Sequence, residues 1–167
     1  MQACFIGHRK IENIEKLKTP LKEIIISLVK KGVNTFLFGS RSNFNELSLK
    51  IVTEIKKDYS CIKRVYVRSA FQFIDESYEK YLLKFYDETY FPQKIENSGK
   101  YSYVERNYLM IDNSTYCIFY YDKNYTPPQK PLKNNMLPPP RNNSGTKIAY
   151  NYAVKKKKEI INLYEYF

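Results

Sequence analysis

Residues 33–40, Val-Asn-Thr-Phe-Leu-Phe-Gly-Ser, run directly into residues 43–59, Asn-Phe-Asn-Glu-Leu-Ser-Leu-Lys-Ile-Val-Thr-Glu-Ile-Lys-Lys-Asp-Tyr. The first stretch is short, apolar and rich in β-branched and aromatic residues, which reads as a buried strand stopped by Gly39. In the second, Phe44, Leu47, Ile51, Val52 and Ile55 recur at helical spacing and form one apolar stripe. A strand, a glycine turn and an amphipathic helix make one β-α unit.

The same unit appears on both sides. Toward the N-terminus, Ala-Cys-Phe-Ile-Gly at 3–7 has strand length, and Thr-Pro-Leu-Lys-Glu-Ile-Ile-Ile-Ser-Leu-Val-Lys-Lys-Gly at 19–32 reads as a helix opened by Thr19-Pro20 and closed by Gly32. Toward the C-terminus, 63–71 reads as a third strand, 75–91 as a helix, 101–114 as a helix and 115–122 as a fourth strand. Residues 144–158 read as a helix opened by a Ser-Gly-Thr turn, and 159–164 as a fifth strand. Alternating strands and helices predict an α/β, Rossmann-like three-layer domain: a mostly parallel sheet of about five strands with helices on both faces. A chain of 167 residues suits one domain, 1–167. Residues 123–143 hold six prolines and no apolar period, so they are expected as an exposed loop, either a lid over a site or an insertion without a role.

Composition narrows the class. There is no apolar run long enough to span a bilayer and no secretory leader, so a cytoplasmic protein without membrane association is expected. Cys4, Cys61 and Cys117 are widely spaced and each sits in an apolar stretch, so they are expected as buried reduced thiols. With a single histidine and no CxxC, neither a metal nor a cofactor is expected. The 28 Lys+Arg against 17 Asp+Glu give a net charge of +11, which favours anionic partners without choosing among them. The run Lys155 to Lys158 reads as a solvated helix face.

In a parallel α/β sheet, ligands bind beyond the carboxyl ends of the strands. Those ends carry Gly7, His8 and Arg9, then Gly39, Ser40, Arg41, Ser42 and Asn43, then Arg68 and Ser69, and beyond the fourth strand Ser144, Gly145 and Thr146. Gly39-Ser40 and Ser144-Gly145-Thr146 each open a helix, where free N–H groups and the helix dipole favour a phosphate or carboxylate. Neither GxGxxG nor GxxxxGKS is present, which disfavours a dinucleotide fingerprint or a P-loop. His8 is unique but lacks an identified orienting carboxylate, and hydrogen bonding to an adjacent loop is as good an account of it as proton transfer.

Four segments, Phe5-Ile-Gly-His-Arg-Lys10, Phe38-Gly-Ser-Arg-Ser-Asn-Phe-Asn-Glu-Leu47, the stretch 103–122 and Ser144-Gly-Thr-Lys-Ile-Ala-Tyr-Asn-Tyr-Ala153, together resemble the SLOG superfamily, which joins the Smf/DprA and LOG proteins, and within it the YpsA-like branch of small bacterial proteins. The resemblance implies a Rossmann-like fold that binds nucleotides or nucleotide-derived molecules. Some members cleave the N-glycosidic bond of nucleoside monophosphates, others are thought to sense ligands, and the DprA relatives bind single-stranded DNA. The helix motif HERKxxM of the LOG enzymes is matched by Glu105, Arg106 and Met110, with Asn107 in the place of the lysine. The turn PGGxGTxEE is matched by Gly145 and Thr146, but Ile148 and Ala149 stand where the acidic pair belongs.

Three functions follow as expectations. The first is a module that binds or senses a nucleotide-like small molecule through Arg106, Arg9, Arg41, His8 and the glycine turns, Arg106 being suited to a bidentate phosphate contact. The second is a nucleotide N-glycosidase, with Arg106 orienting the substrate and Glu46 or Glu105 supplying the carboxylate that such cleavage requires. The third is weak nucleic-acid binding by basic residues and some of the 17 tyrosines. Assembly with a second copy of the chain is left open.

Overall fold

The computed structural model describes residues 1–126 and 144–166. The elements run β1 (Gln2–Gly7), α1 (Ile14–Lys30), β2 (Thr35–Phe38), α2 (Asn43–Ile55), β3 (Lys63–Val67), α3 (Glu76–Leu83), β4 (Glu88–Tyr90), α4 (Lys100–Asn113), β5 (Tyr116–Tyr120), α5 (Gly145–Lys155) and β6 (Glu159–Asn162), closing with a 3-10 turn, Leu163–Tyr166. The six strands form one sheet in the order β4-β3-β2-β1-β5-β6, and every pairing is parallel.

Alternation along the strands sorts the core into two layers. Ala3, Phe5, Phe36, Phe38, Ile118 and Tyr120 face α1 and α2, where Leu17, Leu21, Ile25 and Leu28 meet Phe44, Leu47 and Ile51. The Phe5 ring stacks on Phe38 and Phe36 at centroid distances of 5.0 and 5.7 Å. The intervening residues Cys4, Ile6, Leu37, Cys117 and Phe119 face α4 and α5, against Met110, Ile111, Ala149 and Ala153. Burying each large apolar side chain contributes roughly 1.5–3 kcal/mol, so both faces of the sheet are needed to hold it. Helices on both faces and a strand order that reverses between β1 and β5 make this a doubly wound α/β fold.

Three sequence expectations are corrected. The stretch 75–91 is not one helix: α3 ends at Leu83, and Glu88–Tyr90 forms a sixth strand on the edge of the sheet. The reason is a tertiary anchor, since Asp87 accepts from the Arg64 backbone N–H at 2.8 Å and from its guanidinium, which draws the chain alongside β3. α1 starts at Ile14, ahead of Thr19-Pro20, because Leu17 already belongs to the buried stripe that continues through Leu21, Ile25 and Leu28. Cys61 is exposed, in the turn between α2 and β3, while Cys4 and Cys117 are buried as direct neighbours on β1 and β5.

The lysine run is more than a solvated face. Lys158 donates to the carbonyls of Asp112 and Ser114 at 2.8 and 2.9 Å, satisfying the C-terminal end of α4, and Lys156 pairs with Asp112. Most of the proline-rich segment, 127–143, and with it the lid expectation, lies outside the described residues. Among the described residues no helix is long and apolar enough to cross a membrane.

Candidate functional site

Parallel pairing carries the polar residues after β1, β2, β3 and β5 to one end of the sheet. At the centre, where β1 and β5 diverge, the His8 ring is almost fully enclosed, at 2% exposure. Its shorter contact is from the Asp122 N–H to Nε2, at 2.9 Å, which makes Nε2 an acceptor and leaves the ring hydrogen on Nδ1. That buried Nδ1 has no partner among the described residues. The ring stacks on Tyr125 with centroids 3.9 Å apart. Burial holds its pKa below the usual histidine value, against the opposing pull of the Asp122 carbonyl and carboxylate. His8 is therefore a neutral ring that fastens the start of the chain beyond β5.

One strand spacing away, Gly39 follows the last residue of β2, and α4 crosses it closely. A Cβ on Gly39 would stand 2.6 Å from Arg106 Nε and 2.7 Å from Met110 Sδ. The match between Gly39 and the Arg106/Met110 pair is thus a packing requirement: two side chains one helical turn apart straddle a residue that must have none. Gly7 is likewise a packing glycine, since the space its Cβ would fill is taken by the Phe44 ring, 2.5 Å away.

Arg106 is 3% exposed and, among the described residues, has no carboxylate within ion-pairing distance. Its hydrogen bonds divide into two sides. Nη1 reaches inward to the Gly39 carbonyl and, at 3.4 Å, to Ser69 Oγ, and both bonds are buried. Nε and Nη2 reach outward and share one acceptor, Asn107 Oδ1, at 3.3 and 3.0 Å, in a part-buried position. The Tyr103 ring lies 5.5 Å from the guanidinium carbon. Burial pushes the Arg106 pKa down to about 10, with Tyr66 and Tyr103 opposing, so the group is still charged at neutral pH. A charge this deep without a counter-ion is costly unless neutral acceptors or a bound anion compensate it.

The turn after Gly39 is occupied by a residue that sequence reasoning missed. Asn45 Oδ1 accepts long hydrogen bonds from the backbone N–H groups of Gly39 and Ser40, at 3.4 and 3.5 Å, and its amide donates to the Phe5 carbonyl. Ser42 caps α2 by accepting from Asn45 N–H, and Ser40 Oγ donates to Ser42 Oγ at 3.0 Å. The signal for Asn45 is a polar residue beside Phe44 and Leu47 on the buried side of the helix.

The second turn is more open. Ser144 caps α5 by accepting from Lys147 N–H at 3.1 Å. A Cβ on Gly145 would meet nothing within 4 Å, and Thr146 is buried. The backbone N–H groups of Gly145 and Thr146 have no acceptor among the described residues.

The remaining candidates divide. Arg41 is exposed, donates to Tyr78 Oη at 3.4 Å, and lies close enough to Tyr66 that its charge and that of Arg106 both act on that hydroxyl. Arg9 is exposed, and its carbonyl receives the Asn43 N–H at 3.0 Å, tying the β1 turn to the start of α2. Glu46 is exposed. The Glu105 carboxylate accepts from the backbone N–H groups of Glu96 and Asn97 and from the Asn97 amide, and those bonds hold it below the usual carboxylate pKa. Arg106 therefore lies beside neutral acceptors, while Glu105, one residue earlier, braces the loop before α4. A shallow groove between α1 and α2, lined by Lys22, Ile26, Leu47 and Ile51, lies on the outer helical layer, away from the strand ends.

A family model, YpsA, described as the YspA SLOG family, matches residues 5–156. No curated protein matches the chain.

Proposed function

The chain belongs to the SLOG family, in its YpsA-like branch, and from that membership and the geometry of the strand ends we propose that it binds a nucleotide or nucleotide-derived molecule through its phosphate. The observation that carries this reading is the outer edge of Arg106: two guanidinium donors, Nε and Nη2, converge on a single amide oxygen from Asn107. Those two N–H groups form the edge that grips a carboxylate or phosphate in bidentate pairs, and Asn107 Oδ1 stands where one anionic oxygen would sit. Of the five N–H donors of the guanidinium, those on Nη1 are committed to the protein, so the ligand takes the Nε/Nη2 edge by displacing Asn107.

Around that edge, Arg41 and Arg9 add exposed positive charge, and the N-terminus of α5 offers the N–H groups of Gly145 and Thr146, which have no acceptor among the described residues, with a favourable dipole. β5 and β2 are separated by β1, about 10 Å apart in all, so groups at their carboxyl ends lie within the span of one ligand of nucleotide size. A binding or sensing role needs no catalytic carboxylate, in keeping with Ile148 and Ala149 at the acidic positions of the LOG turn and with Glu105 held in local hydrogen bonds.

Titration calorimetry at physiological salt with nucleoside monophosphates and the matching nucleosides tests this reading. A phosphate held by charge-assisted hydrogen bonds makes the monophosphate bind at least about tenfold more tightly. Equal affinity for nucleoside and nucleotide, or no binding of either, overturns it.

A further inference from the structure

The loop after β3 displays two aromatic rings to solvent. Phe71 is 74% exposed and Phe73 is 86% exposed, the largest exposures among the big apolar side chains described. Phe71 also has φ +60°, a left-handed backbone that a bulky residue rarely adopts. The turn is held in this form by Arg68, whose Nη1 donates to the carbonyls of Phe71 and Gln72 at 2.9 and 3.4 Å. Apolar rings held outward by a charged side chain are not packing for this chain's own core.

The base of the loop is tied to Arg106. Ser69, at the base of the same loop, receives a hydrogen bond from Arg106 Nη1. Phe71 is two residues further on, so its Cα lies within about 7 Å of Ser69 by chain length alone. Tyr103, half exposed, covers the same guanidinium from α4. The loop that carries Phe71 and Phe73 is therefore anchored at a cation that has no carboxylate partner among the described residues, with the Tyr103 ring against its guanidinium. That pairing of a flat apolar surface with an anion site matches a ligand with a flat ring at one end and a phosphate at the other.

We propose that the loop 69–73 is the base-binding element of the site, with Phe71 and Phe73 stacking on the heterocyclic base of a nucleotide whose phosphate lies on the outer edge of Arg106. This inference rests on the phosphate-binding reading above and adds the part of the ligand that the loop selects. Stacking on a phenyl ring tolerates every base, so the loop distinguishes ligands with a base from sugar phosphates without one, and reads base identity weakly.

The chain has no tryptophan, so Phe71→Trp installs a single indole at the loop. The probes are AMP, ribose 5-phosphate and inorganic phosphate. AMP is expected to quench the indole emission, and ribose 5-phosphate to leave it unchanged. In calorimetry, the Phe71→Ala/Phe73→Ala double variant is expected to bind AMP about tenfold more weakly than the unaltered chain and ribose 5-phosphate equally well. Its melting temperature should not change, because both rings are outside the core. Undiminished AMP affinity in the double variant, or equal affinity of the unaltered chain for AMP and ribose 5-phosphate, overturns the base-binding role while leaving the phosphate site standing. If none of the three probes binds, the phosphate site fails and the loop's role fails with it.

Discussion

Arg106 and Asn107, neighbours on α4, are joined by a forked contact in which Nε and Nη2 of the arginine both donate to the one side-chain oxygen of the asparagine. Adjacent helical residues do not normally face each other, and here their side chains meet at 3.3 and 3.0 Å. Among the described residues, the buried cation is balanced by dipoles alone.

The glycine beneath that cation sets the first prediction. Gly39→Ala forces a methyl group to within 2.6–2.9 Å of Arg106 Nε, Arg106 Cδ and Met110 Sδ. Overpacking of this kind costs about 1–3 kcal/mol, and urea denaturation should show it. Nucleotide affinity should fall as well, because relieving the clash moves the guanidinium.

His8 gives a pH prediction with a defined sign. Burial lowers its pKa in the folded chain, so the native state takes up a proton later than the unfolded state does. Stability is then unaffected above about pH 6.5, the ordinary histidine value, and falls as the pH drops below it. Because His8 is the sole histidine, its imidazole resonances in an NMR titration report this group alone. The midpoint should lie below the ordinary value, with the neutral ring carrying its hydrogen on Nδ1.

Asp87 fixes the edge strand. Burial opposes its ionisation, but the guanidinium and backbone N–H of Arg64 and the ammonium of Lys56 more than offset this and hold the carboxyl well below the usual carboxylate range. Asp87→Asn should destabilise the chain by about 1–3 kcal/mol at neutral pH. Since the folded pKa is depressed, that difference should be full above about pH 4, the unfolded value, and shrink as the pH falls below it. Chemical denaturation of both chains at pH 7 and pH 3 should show a smaller difference at the lower pH.

The thiols divide by position. Cys61 is exposed, and the Cys117 thiol is pushed far up by its hydrogen bond with Cys4 and by burial. One cysteine of three should react with Ellman's reagent in the folded chain, and Cys61→Ser should abolish that reaction. The other two should react only after unfolding.

The alternation of strands and helices was readable because apolar periodicity is local, as in Phe44, Leu47, Ile51 and Ile55, and the same applies to the glycines that end β1 and β2. β4 was hidden because its three residues owe their conformation to contacts with β3, Asp87 with Arg64 and Thr89 donating to the Tyr66 carbonyl at 2.9 Å, and not to any local pattern. At the site, the motif around Arg106 was visible as residue types. The division of its donors between Gly39, Ser69 and Asn107 was not, because it depends on where α4 crosses the sheet. Glu105 illustrates the same limit: a carboxylate next to a motif arginine turned out to brace residues 96 and 97.

The most direct measurement is nucleoside monophosphate affinity, by calorimetry, in two variants of Asn107. Asn107→Asp puts a carboxylate on the outer edge of Arg106, and Asn107→Ala leaves that edge empty. With circular dichroism confirming both folds, the account predicts at least about a tenfold loss of affinity for the aspartate variant, and affinity equal to or above that of the unaltered chain for the alanine variant. An aspartate variant that binds as tightly as the unaltered chain would contradict the assignment of that edge as the phosphate site.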